Sequence, residues 1–218
     1  MPRQPPPRRF DGEVASVEIA AGTVLSRVHR TDFGAEDFNP VGSDVLFGGG
    51  RFDSTAEDPY GYLYAGETDR AALAETLLRD LPANDRGARF LPKESWRGRR
   101  LSRLELTQAL RVVSLVSGED LGAVGQDTWL TACDPDDYPQ TRRWAHWLRR
   151  IEPAAAGMLW LSKRQPGSLS VCLFEDRVPP GSLVEAGGPL AGPCVFEEDD
   201  GFDWLRANLA AFRVAIRR

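Results

Sequence analysis

The segment from Tyr60 to Gly66 is the part of the sequence that most constrains the fold. Its aromatic residues recur with a period of two, which predicts a β-strand with three tyrosines on one face. Gly66 ends the strand, and Thr68 or Asp69 can cap a helix predicted over 70–81. The apolar residues of that helix recur at helical spacing on one stripe. The sequence therefore predicts a strand that leads directly into an amphipathic helix.

The rest of the chain also mixes strand and helix patterns. The two-residue and 3.6-residue periods predict strands over 23–30, 157–162 and 169–174, a helix over 141–151, and a last amphipathic helix that carries Leu205, Leu209, Phe212 and Ile216. A turn around Pro166-Gly167 joins two of these strands into a hairpin. The signals over 101–116 are mixed and leave that stretch open. Trp144, Trp147 and Cys172 are expected in the core, and His146 is expected to be exposed to solvent.

The length of 218 residues predicts one domain with elaborations. Residues 1–13 are rich in proline and arginine, which predicts a flexible arm. We expect a single domain over 14–218, with an inserted connection around 82–100 and a C-terminal helix. The arm lacks the apolar stretch of a secretory signal, and no run of residues approaches a membrane span, so we expect a cytoplasmic protein.

The charge of the chain limits its partners. A net charge of −5 argues against direct nucleic-acid or membrane binding, because phosphate backbones require a basic surface. Only Lys93 and Lys163 are lysines among 27 basic residues, so an anion site in this chain is expected to use arginine. The three cysteines are Cys133, Cys172 and Cys194, which form no CxxC pair, and the chain has 2 histidines. This set predicts neither a disulfide framework nor a metal site.

Four segments together resemble the RES-domain family, which is named for an arginine, a glutamate and a serine. They are Ser26-Arg27-Val28-His29-Arg30, Gly49-Gly50-Arg51-Phe52-Asp53, Tyr60 to Glu67 running into Ala72-Leu73-Ala74-Glu75, and Gly157 to Ser162. The resemblance covers about residues 20–175. It implies an α+β fold with a mixed β-sheet core and flanking helices, similar to ADP-ribosyltransferases.

The resemblance also implies a site. It gives Arg27, Glu75 and Ser162 as catalytic residues and Arg27, Arg51, Tyr64 and Ser162 as residues that bind NAD⁺, with no metal. Arginine forks suit the pyrophosphate of NAD⁺, and a carboxylate suits the positive charge that develops on the ribose when the nicotinamide leaves. Taken singly, each residue also has a structural interpretation, such as an ion pair of Glu75 with Arg79. The joint pattern favours the functional interpretation.

The resemblance implies an enzyme that consumes NAD⁺, the toxin of a toxin–antitoxin pair, with the antitoxin protein as a partner. Water, inorganic phosphate and a protein side chain remain open as acceptors. The alternative is a non-catalytic RES-like module that binds a nucleotide or a protein. The apolar C-terminal helix packs either on its own core or on a second copy, so a homo-oligomer also remains open.

Overall fold

The computed structural model describes residues 4–79, 81–82, 87–187 and 195–218. Its strands are β1 (Ser16–Ile19), β2 (Val24–Arg30), β3 (Tyr62–Gly66), β4 (Arg89–Phe90), β5 (Arg99–Leu106), β6 (Leu110–Leu115), β7 (Gly157–Leu161), β8 (Leu169–Phe174), β9 (Leu183–Glu185) and β10 (Val214–Ala215). Its α-helices are α1 (Asp69–Leu77), α2 (Lys93–Trp96), α3 (Gly118–Ala123), α4 (Trp129–Ala132), α5 (Tyr138–Ile151) and α6 (Asp199–Ala210).

Eight strands form one mixed sheet in the order β1-β6-β7-β8-β3-β2-β5-β9. The β6–β7 pair is parallel, and the other neighbouring pairs are antiparallel. β4 and β10 pair separately in parallel. With helices packed against the sheet, this arrangement confirms the predicted α+β class.

The sheet opens between β3 and β2, the fifth and sixth strands in its order. Strands β2 and β3 are in register at one residue pair, Ser26 with Gly66, and then diverge. On the β3 side, Asn39 takes the place of a neighbouring strand: its N–H donates to the Tyr62 carbonyl at 2.8 Å, and its carbonyl accepts from the Tyr62 N–H at 3.0 Å. The divergence leaves a gap between β2 and β3, and a cleft opens there.

Several predicted elements are confirmed in place and type. Thr68 caps α1, because its hydroxyl accepts a hydrogen bond from the Ala71 N–H at 3.1 Å. β7 and β8 form the predicted antiparallel hairpin. Trp144, Trp147 and Cys172 are buried in the core cluster that α5 forms with the sheet. Replacing such a large buried side chain with alanine typically costs about 3–5 kcal/mol.

The first and last helices are shorter than predicted, and the structure assigns the stretch that the sequence left open. The first helix ends at Leu77 instead of residue 81, with Leu78 as its C-cap. The open stretch 101–116 belongs to two strands, β5 and β6. The last helix ends at Ala210, and beyond it Val214–Ala215 pairs with β4. The buried residues of α6 contact the core cluster of their own chain.

The connection predicted around 82–100 contains β4, α2 and the start of β5. Part of it, residues 83–86, lies outside the described residues, as do Cys194 and the rest of 188–194. The α2 residue Trp96 is buried beside Phe202 of α6, with ring centroids 5.5 Å apart. Apolar residues of the connection, such as Trp96, therefore pack its described part against the core. The many charged residues around them hide this apolar pattern in the sequence.

The structure places the N-terminal segment against α5, whereas the sequence predicted a flexible arm. The indole N–H of Trp144 donates to the Gln4 carbonyl at 2.9 Å, and that of Trp147 donates to the Pro7 carbonyl at 3.1 Å. Phe10 packs edge-on against Trp147 with ring centroids 5.1 Å apart. The indole N–H of a buried tryptophan usually has a hydrogen-bond acceptor, and this segment supplies one carbonyl acceptor to each of the two indoles.

Candidate active site

A cleft of about 480 Å³ opens where β2 and β3 diverge. It is lined from β2, β3, β5, α1, the start of α5 and the glycine-rich loop, which is residues 48–53. Four of the five residues predicted for the site line it, namely Arg27, Arg51, Tyr64 and Glu75. The fifth, Ser162, lies behind Glu75. The fold therefore brings together side chains that are up to 135 positions apart in the chain (27 to 162).

Arg27 is a buried cation on β2. Its side chain is 8% exposed, and its guanidinium donates to the Ala35 carbonyl at 2.6 Å. Burial lowers the pKa of Arg27 to about 10, although the nearby Asp37 acts in the opposite direction. The group still carries its charge at neutral pH, and it forms no salt bridge within the described ranges. A buried arginine without a carboxylate partner is suited to an anionic ligand.

Arg51 projects from the glycine-rich loop into the same cleft. Its carbonyl accepts from the Thr141 hydroxyl at 2.7 Å, which ties the loop to α5. The guanidinium carbon lies 5.3 Å from the ring centroid of Tyr138, and the Nε atom has no hydrogen-bond partner among the described residues. The aromatic face holds the cation in place while leaving hydrogen-bonding capacity for a ligand.

The buried carboxylate of Asp53 accepts hydrogen bonds that hold the glycine-rich loop in place. It accepts hydrogen bonds from the Ser43 hydroxyl at 2.6 Å and the Gly50 N–H at 2.6 Å. The hydroxyls of Tyr62 and Tyr64 donate to it at 3.0 and 2.8 Å. The tyrosines that share one face of the strand segment therefore hold the loop that carries Arg51.

Close packing explains the glycines of this loop. A Cβ atom on Gly50 would lie 2.5 Å from a carboxylate oxygen of Asp53, and one on Gly49 would lie 2.1 Å from the Ser43 hydroxyl. Gly49 also has φ +71°, a region that residues with a side chain rarely adopt. These glycines therefore let the loop approach its own carboxylate.

Tyr64 contacts the rest of the site through both its hydroxyl and its ring. Its hydroxyl donates to Asp53 and accepts from the Phe52 N–H at 2.9 Å, and its ring packs edge-on against Trp160. Burial and the Asp53 charge raise the pKa of Tyr64 well above its usual value, so the hydroxyl stays protonated. The ring is thereby fixed in the wall of the cleft.

Glu75 and Ser162 form a hydrogen-bonded pair. The Ser162 hydroxyl donates to the Glu75 Oε1 atom at 2.6 Å and accepts from the Gln165 N–H at 2.9 Å. The Arg164 N–H also donates to Glu75 Oε1, at 3.3 Å. Ser162 does not line the cleft, so its contact with the site runs through the carboxylate of Glu75.

The sequence interpretation missed other residues of the cleft. Tyr138, Trp160 and Arg99 line it, and Asp53 holds its loop, yet none was assigned a role. The signal for Asp53 was its position two residues after Arg51. His29 lines the cleft too: burial, reinforced by the Arg27 charge, lowers its pKa to about 4, so the ring is neutral at neutral pH. His146 is half-buried beside the ring of Tyr60, so its predicted exposure was wrong.

Two further structural observations bear on the class of protein. In the described parts of the chain, no three or more histidine, cysteine, aspartate or glutamate side chains are grouped so that they could hold a metal ion. None of the helices within the described ranges has the length and apolar character needed to cross a bilayer.

The matching family model is that of the RES domain, over residues 24–193, which is more than half of the chain. The protein belongs to the RES-domain family. Among solved structures, the chain is similar to one in the crystal structure of the M. tuberculosis MbcT–MbcA toxin–antitoxin complex. That match has 19% sequence identity and a TM-score of 0.49, and it covers 79% of this chain and 84% of the other. No curated protein has a significant match.

Proposed function

We propose that this protein cleaves the bond between nicotinamide and ribose in NAD⁺, as its resemblance to RES-domain proteins implies. The observation that carries the proposal is one cleft lined by two buried arginines, Arg27 and Arg51, and by the carboxylate of Glu75. A dinucleotide with an anionic pyrophosphate and a ribose that becomes cationic needs both kinds of charge. The ADP-ribosyltransferase-like character of the fold is part of the same proposal.

The two arginines bind the pyrophosphate. Each guanidinium offers paired N–H donors that match phosphate oxygens, and charge-assisted bonds of this type are about twice as strong as neutral ones. Both side chains are held by the protein before the ligand arrives, Arg27 through Ala35 and Arg51 through the ring of Tyr138. Less ordering is therefore required when the substrate binds.

Glu75 acts on the reacting ribose. As the bond from C1′ to the nicotinamide nitrogen breaks, both electrons leave with the nitrogen and positive charge develops on the sugar. A fixed carboxylate opposes that charge, as in glycoside hydrolysis. Ser162 positions the carboxylate by its hydrogen bond, and the ring of Tyr64 packs against the nicotinamide. An acceptor oxygen from water, inorganic phosphate or a protein side chain then bonds to C1′ and releases its proton.

The experiment is an assay of nicotinamide release from NAD⁺ by the purified chain, with and without inorganic phosphate and with cell extract as a source of protein acceptors. We expect the variant Glu75→Gln to fold normally and to lose at least about a hundredfold in kcat, because it removes a charge contact made to the transition state. The matched control is Glu18→Gln, which removes an exposed carboxylate from β1 outside the cleft.

Two results would overturn the proposal. Absence of nicotinamide release by the wild-type chain with every acceptor would exclude the reaction. Full activity of Glu75→Gln would exclude the role of this carboxylate. NAD⁺ binding by calorimetry without any product would instead support the alternative, a non-catalytic module that binds a nucleotide.

We further propose that the protein is a cytoplasmic toxin restrained by an antitoxin protein, as the resemblance to the RES family implies. Expression of the chain alone is then expected to arrest growth and deplete cellular NAD⁺. Matched expression of Glu75→Gln is expected to do neither. Normal growth with unchanged NAD⁺ during verified expression of folded wild-type protein would contradict the toxin proposal while leaving the enzymatic one testable in vitro.

A further inference from the structure

One arginine near the cleft lacks the partner that its neighbours have. Four arginines lie between positions 97 and 103. Arg97 pairs with Glu197 at 3.1 Å, Arg100 pairs with Glu185, and Arg103 pairs with Asp69 at 2.6 Å. Arg99 forms neither a salt bridge nor a side-chain hydrogen bond within the residues that the structure describes. It is also the member of this group that lines the cleft.

The backbone around Arg99 is firmly held, so its position is fixed by the fold. The Arg99 carbonyl accepts from the Phe196 N–H at 3.0 Å, and the preceding carbonyl of Gly98 accepts from the Thr31 N–H at 2.9 Å. Arg99 is in register with Arg30 on β2, which pairs with Asp32 at 2.8 Å. Burial and the charge of Arg30 lower the pKa of Arg99. The strand thus presents a partly buried cation without a counter-charge.

The proposed reaction assigns no role to the charge of Arg99. Its charged lining residues are four arginines and two carboxylates, namely Arg27, Arg51, Arg79, Arg99, Asp53 and Glu75. Both carboxylates already accept hydrogen bonds from the protein. In the proposed function, Arg27 and Arg51 bind the pyrophosphate, which leaves Arg99 beside a space in the cleft with no ligand group assigned to it.

We propose that Arg99 forms a second anion subsite in the cleft, which binds a phosphate group in addition to the pyrophosphate. This inference rests on the proposed function for its choice of dinucleotide. A phosphomonoester or inorganic phosphate carries nearly two negative charges, and two of its oxygens can accept the paired N–H donors of the planar guanidinium. Two sources supply that chemistry: the 2′-phosphate of NADP⁺, or free inorganic phosphate bound beside NAD⁺.

The test measures binding, so that it does not depend on turnover. Full-length protein with Glu75→Gln is titrated calorimetrically with NAD⁺, NADP⁺ and inorganic phosphate, and the same is done after adding Arg99→Gln. For the 2′-phosphate source, we expect the ratio of NADP⁺ to NAD⁺ affinity to fall at least about tenfold on Arg99→Gln, the typical loss of a charged hydrogen bond. Arg97→Gln is the control, since it removes an exposed arginine two residues away, and the ratio should stay constant.

Inorganic phosphate distinguishes the two sources. If phosphate still binds when NAD⁺ is bound, and Arg99→Gln abolishes this binding, then free phosphate is the occupant. In that case the ratio of NADP⁺ to NAD⁺ affinity need not change. Dependence of the NADP⁺ ratio on Arg99, without binding of free phosphate, identifies the 2′-phosphate. Arg99→Lys keeps the charge but not the fork, so it should retain part of either effect, and thermal melts verify that each variant is folded.

The inference is overturned if Arg99→Gln changes neither the ratio nor phosphate binding. It is also overturned if NAD⁺ and NADP⁺ lose affinity equally without an effect on phosphate, because Arg99 would then belong to the pyrophosphate site, or if neither NADP⁺ nor phosphate binds at all. Nicotinamide release by the wild-type chain is measured separately. An Arg99-dependent ratio or Arg99-dependent phosphate binding without any release would refute the reaction and leave the subsite standing, and release with neither Arg99 effect would do the reverse.

Discussion

The carboxylate of Asp53 offers the sharpest test of how the cleft is built. The variant Asp53→Asn keeps the shape of the side chain but replaces one of its oxygens with an NH₂ group. One oxygen of Asp53 now accepts from Ser43, Gly50 and Tyr62, and the other accepts from Tyr64. The asparagine is expected to keep its oxygen toward the three donors and to turn its NH₂ toward Tyr64.

This orientation sets the magnitude. The Tyr64 hydroxyl loses its charged acceptor, and a hydrogen bond to a charged group contributes about 1.5–3 kcal/mol. The three remaining bonds lose the charge of their acceptor, which weakens each of them. Asp53 is buried, so solvent screens little of this loss. We expect Asp53→Asn to lower the free energy of unfolding by about 2–4 kcal/mol in total.

The assay is urea denaturation of the wild-type chain, Asp53→Asn, Tyr64→Phe and the double variant. Because the two side chains share one bond, their effects should be non-additive, with a coupling of about 1 kcal/mol or more. The kcat for nicotinamide release should fall in both single variants, since the loop that carries Arg51 loosens. A loss of stability below about 0.5 kcal/mol for Asp53→Asn, together with additive effects, would refute the reasoning.

Two further variants test other contacts of the site. Ser162→Ala should lower kcat about tenfold or more with little change in KM, because the hydroxyl touches Glu75 and does not line the cleft; nicotinamide-release kinetics measure this, and a raised KM at constant kcat would contradict it. His29 has its pKa lowered from 6.5 to about 4, so its neutral form stabilises the fold above pH 6.5, and that contribution is lost as the pH falls toward 4. His29→Gln should therefore flatten the decline of stability between pH 6.5 and 4, by about 3 kcal/mol at most, in urea titrations at each pH.

Local patterns were enough to predict elements whose faces differ in polarity. The alternating tyrosines predicted β3, and the spacing of Trp144, Trp147 and Leu148 predicted α5. Strand β5 has arginines on both faces. Arg100 and Arg103 can lie there because carboxylates from distant segments pair with them. No two-residue alternation results, and the sequence left this strand open.

Four of the five residues that the sequence predicted for the site line one cleft, but the hydrogen bonds among the site residues could not be predicted. The family resemblance gave Glu75 and Ser162, but their hydrogen bond joins residues that are 87 positions apart in the chain. The role of Asp53 depends on the path of the loop over β3, which no periodicity encodes. His146 points away from the apolar stripe of α5, yet the segment around Tyr60 covers it.

The docking of residues 4–10 on α5 has a practical consequence for anyone who shortens the chain. The same helix holds the Arg51 carbonyl through Thr141, and Arg142 donates to the carbonyls of Asp44 and Gly48. Proteolytic trimming of the first ten residues would strip two indole N–H groups of their acceptors on that helix. Preparations that differ only at the amino terminus are therefore expected to differ in catalytic constants.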